Sequence, residues 1–273
     1  AAVHYFFPIP AGFISGGDSL CEGEYGDFTV TFTQGTPPFQ ILVNENGTPK
    51  YYNNIMTSPY TVTVGPFNTA GTFTYTLVEI ADDTCFSTAS GSVTFVVNAP
   101  TVPTLQIPYD GLCEGASADT LDYADPSGGV YYINGVMTNI FDPATLPVGS
   151  YPVEYVYTDG NGCVASAYDT LEVFELPVCG VDGGVFCIDG GLISDMSYFN
   201  GTPSGGSYAI NGNPVSTFLP AAYAVGKHAL TYSVMDNNGC TCVAVDTIEV
   251  TDKPNVTISP IANVCEDGAP VAL

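Results

Sequence analysis

Nine cysteines, two histidines and 28 aspartates and glutamates are the side chains of this 273-residue chain best placed by type to do chemistry. Histidine is the usual base for a serine or cysteine nucleophile. His4 lies in a leading segment, and His228 falls on a core-facing strand position, so neither marks a catalytic centre. Paired carboxylates could hydrolyse a glycosidic bond, but so many acids bring some pair together by chance, and no cleft is implied. Zinc is disfavoured because Cys240-x-Cys242 lacks the CxxC spacing and the histidines are far away in sequence. Calcium fits the residue types better: Asp82, Asp83, Asp159, Asn161, Asp236 and Asn238 recur in acidic turns, where oxygen ligands could stiffen a joint. The bland reading of those turns is that Asp-x-Asn-Gly simply reverses the chain.

The cysteines recur in a pattern. Cys21, Cys113, Cys187 and Cys265 open successive units in the contexts Leu-Cys-Glu-Gly, Leu-Cys-Glu-Gly, Phe-Cys-Ile-Asp-Gly and Val-Cys-Glu-Asp-Gly. Cys85, Cys163 and Cys240 each follow a glycine (Gly71, Gly149, Gly226) by 14 residues and close the first three. The expected bonds are therefore Cys21–Cys85, Cys113–Cys163 and Cys187–Cys240, one staple per unit, with Cys179–Cys242 private to the third. Closing a loop of about 50 residues would stabilise each unit by roughly 4 kcal/mol on the chain-entropy argument. Cys265 is left without a partner, as expected of a chain cut from a longer array.

An ungapped repeat positions these residues. Pro126–Val173 reads onto Pro203–Val250 at a constant offset of 77, including Pro126-Ser-Gly-Gly-Val-Tyr131 on Pro203-Ser-Gly-Gly-Ser-Tyr208. Self-similarity at a fixed period means an array of small modules. Glycines and prolines interrupt the chain too often for ordinary helices, and short alternating runs such as Phe28-Thr-Val-Thr-Phe-Thr33 and Val153-Glu-Tyr-Val-Tyr157 read as strands. Period two puts Phe73, Tyr75 and Leu77, then Tyr151, Val153, Tyr155 and Tyr157, then His228, Leu230, Tyr232 and Val234 on the core face. The expected fold is all-β: tandem small antiparallel immunoglobulin-like sandwiches, each disulfide-stapled, stacked as a rod. Proline-bearing joints set the expected limits at 18–99, 100–176 and 177–252. Residues 1–17 read as the tail of a preceding module or a joining strand, and 253–273 as the start of a fourth repeat.

Charge narrows the function. Three lysines and no arginine face 28 acids, a net charge of −25. Such a chain cannot neutralise phosphates, which excludes nucleic acid and disfavours anionic lipid. No apolar run is long enough to span a membrane as a helix. Disulfides at this density imply an oxidising compartment.

The Cys-x-Gly and Cys-x-Asp-Gly openings, Gly35-Thr-Pro-Pro-Phe39, the two Pro-Ser-Gly-Gly-x-Tyr motifs and the Asn-Gly-Cys strand endings resemble the immunoglobulin-like or PKD-like repeats of large Bacteroidota surface proteins. That group includes gliding-motility adhesins exported by type IX secretion. The resemblance covers about residues 18–252 and implies a non-enzymatic extracellular protein acting as a stalk or filament body at the cell surface. It also implies O-glycosylation at Asp-(Ser/Thr)-aliphatic motifs, here at Ser19, Thr120, Thr170 and Thr247. The same motif is an ordinary way to start a strand after a turn. No cofactor beyond calcium is expected. The expected partners are neighbouring modules, surface glycans and, if the leading strand 3–9 adds to a neighbour's sheet, further copies in a fibre. A spacer beside a secreted carbohydrate-active enzyme is the remaining alternative.

Overall fold

The computed structural model describes residues 7–258. Among these the fold is all-β, and the only helical turns are two 3-10 segments, Met196–Phe199 and Pro220–Ala222. Two compact units form. One holds the residues up to Asp110 with Ser117–Asp142 and Ser150–Glu172; the other holds Gly111–Ala116, Pro143–Gly149 and the residues from Val173 on.

The first repeat is a full sandwich. One layer runs Ala11–Gly16, Gly26–Gln34, Tyr60–Val64; the other runs Ser19–Cys21, Ser92–Asn98, Gly71–Ala81, Phe39–Glu45, Thr48–Ile55. Ala11–Gly16 was expected outside this module, yet it is hydrogen-bonded antiparallel to Gly26–Gln34. The first strand is split, its front half in one layer and Ser19–Cys21 in the other. Period-two burial holds where the sequence alternates: Val93, Phe95 and Val97 are buried and their neighbours are not. Alternation along Gly71–Ala81 breaks where the register against Phe39–Glu45 shifts, after Leu77. The bulge turns Val78 out and brings Ile80 into the core.

The second and third repeats each keep one five-stranded sheet. In the second the order is Gly111–Cys113, Val164–Phe174, Gly149–Thr158, Val130–Ile133, Val136–Met137. In the third it is Gly184–Cys187, Thr241–Thr251, Gly226–Met235, Ser207–Ile210, Asn213–Val215. The facing layer is reduced to short bridges and 3-10 turns. In the third repeat it still supplies Met196, Phe199 and Phe218 to a core with Leu230, Ile248 and Val250. The expected core face holds for Tyr151, Val153 and Tyr155 and for Leu230, Tyr232 and Val234, which are buried, while Tyr157 and His228, also expected there, are only half-buried. Asn134-Gly135 and Asn211-Gly212 link the edge hairpins with positive φ at both residues, as a two-residue type I′ turn requires.

The Pro-Ser-Gly-Gly-x-Tyr motif is explained by packing. The Tyr155 hydroxyl donates to the Pro126 carbonyl and accepts from the Gly129 N–H at 2.6 Å. The Tyr232 hydroxyl donates to Pro203 and accepts from the Gly206 N–H at 2.8 Å. The motif tyrosines pack against these rings at a tilt of 55° and 51°, with Tyr131–Tyr155 and Tyr208–Tyr232 centroids both 4.7 Å apart. A Cβ on Gly206 would lie 2.5 Å from the Ser233 carbonyl oxygen, with the Tyr232 ring equally close. Gly206→Ala should therefore cost about 2–3 kcal/mol by overpacking, while Gly205→Ala meets no neighbour and is penalised only for its positive φ. Urea unfolding of both variants checks the contrast.

Candidate functional site: the cysteine joints

Each closing cysteine is held by an aspartate turn. Asp159 Oδ1 accepts the N–H groups of Asn161 and Cys163 at 2.9 and 3.0 Å, and Asp236 Oδ1 accepts those of Asn238 and Cys240, both at 2.9 Å. Asp82 Oδ1 does the same for Thr84 and Cys85, both at 2.9 Å. In all three the aspartate N–H donates back to the cysteine carbonyl at 2.9 Å. The second and third of these turns begin the last strand of their repeats, Val164–Phe174 after Cys163 and Thr241–Thr251 after Cys240, while Cys85 leads into the short strand Phe86–Thr88 before the last strand Ser92–Asn98.

Each opening cysteine sits at the other end of that last strand. Cys21 is in register with Asn98 and Cys187 with Thr251, both in parallel pairings. The residue after each opening cysteine donates to the strand's end: Glu22 to Asn98 at 3.0 Å, Glu114 to Phe174 at 2.8 Å and Ile188 to Thr251 at 2.9 Å. In the second and third repeats an 11-residue strand thus separates the two cysteines, and in the first the strands Phe86–Thr88 and Ser92–Asn98 lie between Cys85 and Asn98, the residue beside Cys21. At about 3.3 Å per residue the 11-residue strand spans roughly 35 Å, whereas a disulfide needs Cα atoms within about 7 Å.

The expected pairs Cys21–Cys85, Cys113–Cys163 and Cys187–Cys240 are therefore wrong, and the bonds run from one repeat to the next. Cys21 is bonded to Cys163 and Cys113 to Cys240, with Cα atoms 5.5 and 5.6 Å apart. Cys179 is bonded to Cys242. Cys85 and Cys187 are free thiols; Cys265 lies outside the described residues. The first bond lies wholly in the first compact unit and the other two in the second. The thread 21–163 and the thread 113–240 overlap, so each loop encloses part of the other's sequence.

The acidic turns do not assemble a cation site. No group of three or more metal-ligating side chains gathers among the described residues. Asp82, Asp159 and Asp236 spend their Oδ1 atoms on backbone N–H groups, and Asp83 is exposed. Oδ2 of Asp159 also accepts the Thr101 N–H at 3.1 Å, tying the turn to the inter-repeat joint. Burial pushes Asp159 upward, but the N–H groups of Thr101, Asn161 and Cys163 together outweigh it and hold the carboxyl below the usual range. Asp82 is lowered to about 2 by the Thr84 hydroxyl and N–H, with smaller help from Cys85 and Thr36.

Because the folded value lies below the ordinary 3.8, the ionised Asp82 adds stability above about pH 4, and that contribution disappears as pH falls towards 2. Thermal unfolding followed at the first repeat should be flat from pH 7 to 5 and soften between about pH 4 and 2. Asp82→Asn should remove part of that slope.

The other sequence candidates are structural. His228 Nδ1 contacts the Asn211 amide at 2.9 Å and Nε2 the Ala224 carbonyl at 2.8 Å, so both ring nitrogens are occupied. His4 lies outside the described residues. Ser19, Thr120, Thr170 and Thr247 are exposed. The aspartates preceding Ser19, Thr170 and Thr247 accept their N–H groups at 2.7–2.8 Å. Sequence reasoning missed the opening strand's parallel pairing. Its signal is three short runs ending in cysteine, Ser19–Cys21, Gly111–Cys113 and Gly184–Cys187.

No family profile and no curated protein matches this chain. Solved structures do. A Ca2+-stabilized adhesin of an ice-binding Antarctic bacterium matches at 12% identity over 93% of this chain and 76% of its own, with a TM-score of 0.41. A 1.5-MDa bacterial ice-binding adhesin matches at 12% identity over 89% of this chain and 98% of its own, TM-score 0.34. Human CDH23 EC21-23 matches at 13% identity over 88% and 100%, TM-score 0.28. These likenesses concern fold alone.

Proposed function

We propose that this chain is a non-enzymatic structural and adhesive repeat segment of an extracellular protein, acting as a stalk or filament body at a bacterial cell surface. The observation that carries this reading is the covalent path. From residue 18 the chain reaches Cys21, crosses to Cys163, runs 16 residues to Cys179, crosses to Cys242 and continues. Most of three repeats is bypassed, so tension applied to the array loads two disulfides and the last strands of the second and third repeats, Val164–Phe174 and Thr241–Thr251, and spares the rest of each sandwich. That serves a tether better than a binding pocket or a catalytic cleft. Disulfides that hold repeat to repeat also need an oxidising compartment. Three lysines and no arginine deny trypsin-like proteases most cleavage sites, which suits a surface fibre. The exposed Ser19, Thr120, Thr170 and Thr247 are available to carry glycans.

Antibody labelling of intact cells tests the reading. Surface label lost together with attachment when the segment is deleted in frame supports it; label confined to the cell interior contradicts it.

A further inference from the structure

The joint follows one rule at both places where it is complete: the opening cysteine of a repeat bonds the closing-turn cysteine of the next. Cys21 and Cys113 are the giving ends; Cys163 and Cys240 are the receiving ends. Cys187 is built as a giving end. It terminates a short strand parallel to its repeat's last strand, and Ile188 donates to the strand's end at 2.9 Å as Glu22 and Glu114 do at 3.0 and 2.8 Å. Cys85 is built as a receiving end. Asp82 caps its N–H and returns a bond to its carbonyl with the distances seen at Cys163 and Cys240. Both are free, Cys187 is exposed, and Cys85 borders an open depression of about 410 Å³ lined by Gln40, Glu79, Asp82, Thr84 and Phe86.

We propose that Cys85 and Cys187 are the two complementary coupling points of a disulfide ladder, each taking the opposite cysteine of a further module of this same repeat. Cys187 takes a closing-turn cysteine, and Cys85 an opening cysteine. The module comes either from the same polypeptide or from a second copy of this chain. The inference rests on the joint geometry and stands whether or not the array is adhesive.

Bond formation needs a disulfide oxidant such as glutathione disulfide. The Cys187 thiolate attacks it and releases one glutathione thiolate; the Cys85 thiolate of another module attacks the mixed disulfide and releases the second. Two protein thiols are oxidised and one disulfide is reduced to two thiols.

The test uses the whole chain with Cys265→Ser, oxidised in a glutathione buffer and analysed by non-reducing electrophoresis and peptide mapping. The ladder predicts covalent oligomers joined by Cys85–Cys187 peptides, abolished by Cys85→Ser or by Cys187→Ser alone, with the three internal bonds intact in every variant. Protein isolated from its source separates the two suppliers: Cys187 bonded within a single-chain mass identifies the same polypeptide, and bonded in multiples of that mass, a second copy. Thiols at Cys85 and Cys187 that stay alkylatable in both preparations overturn the proposal. So do Cys85–Cys85 and Cys187–Cys187 links formed as readily as mixed ones.

Discussion

Pulled between residues 18 and 252, the oxidised chain should extend to roughly 110 Å and the fully reduced chain to roughly 800 Å. The difference follows from which bonds exist. With all disulfides reduced, every residue between the attachment points pays out at about 3.4 Å. In the oxidised chain the shortest covalent route is three residues to Cys21, 16 from Cys163 to Cys179 and 10 from Cys242 to the end, plus two disulfide crossings of 5.5 and 6.1 Å. Single-molecule force spectroscopy before and after adding a reductant reads the two lengths directly. The one-staple-per-repeat arrangement would leave the linkers and strands between staples free to pay out, giving a clearly longer oxidised contour. Cys179→Ser should roughly double the oxidised length, because the next shortest path runs from Cys163 back to Cys113 before it crosses to Cys240.

The second large effect is on stability. Replacing Cys113 and Cys240 together by alanine should destabilise the second compact unit by about 3–5 kcal/mol, since the bond closes a loop of 127 residues. The third repeat depends on it most. Its second layer is two 3-10 turns and isolated bridges, with few main-chain hydrogen bonds to hold Met196, Phe199 and Phe218 over the sheet. Replacing Cys85 or Cys187 by serine should leave the melting temperature within a degree or so, because neither forms a bond within the chain. Calorimetry of the two kinds of variant under oxidising conditions separates a structural staple from a free coupling end.

How much of this was legible in the sequence differs by level. The strand register was, because burial on one face enforces period two. Tyr151, Val153 and Tyr155 could occupy only the core side, and the bulge after Leu77 is where the written alternation stops. The motif Pro-Ser-Gly-Gly-x-Tyr was visible as a repeat, but its cause was not: it needs the Tyr155 and Tyr232 hydroxyls, which lie 29 residues away. The cysteine pairing was not legible from the repeat at all. A period states which residues are equivalent, and it fits a bond inside each unit as well as one between units. What decides is distance, and distance depends on the opening strand lying parallel to the last strand, so that one cysteine marks its end and the other its start. The calcium candidates gather into no cluster of ligating side chains among the described residues for a similar reason. Asp-x-Asn-Gly names oxygen ligands and turn formers alike, and only the backbone geometry shows the oxygens already accepting N–H groups.

Two disulfides join one repeat to the next, and disulfide mapping of the native, unreduced chain tests them most directly. Digestion with thiols blocked at low pH should yield Cys21 linked to Cys163 and Cys113 linked to Cys240, with Cys85 and Cys187 unlinked within the monomer. Cys21 recovered on Cys85, or Cys113 on Cys163, would contradict this pairing.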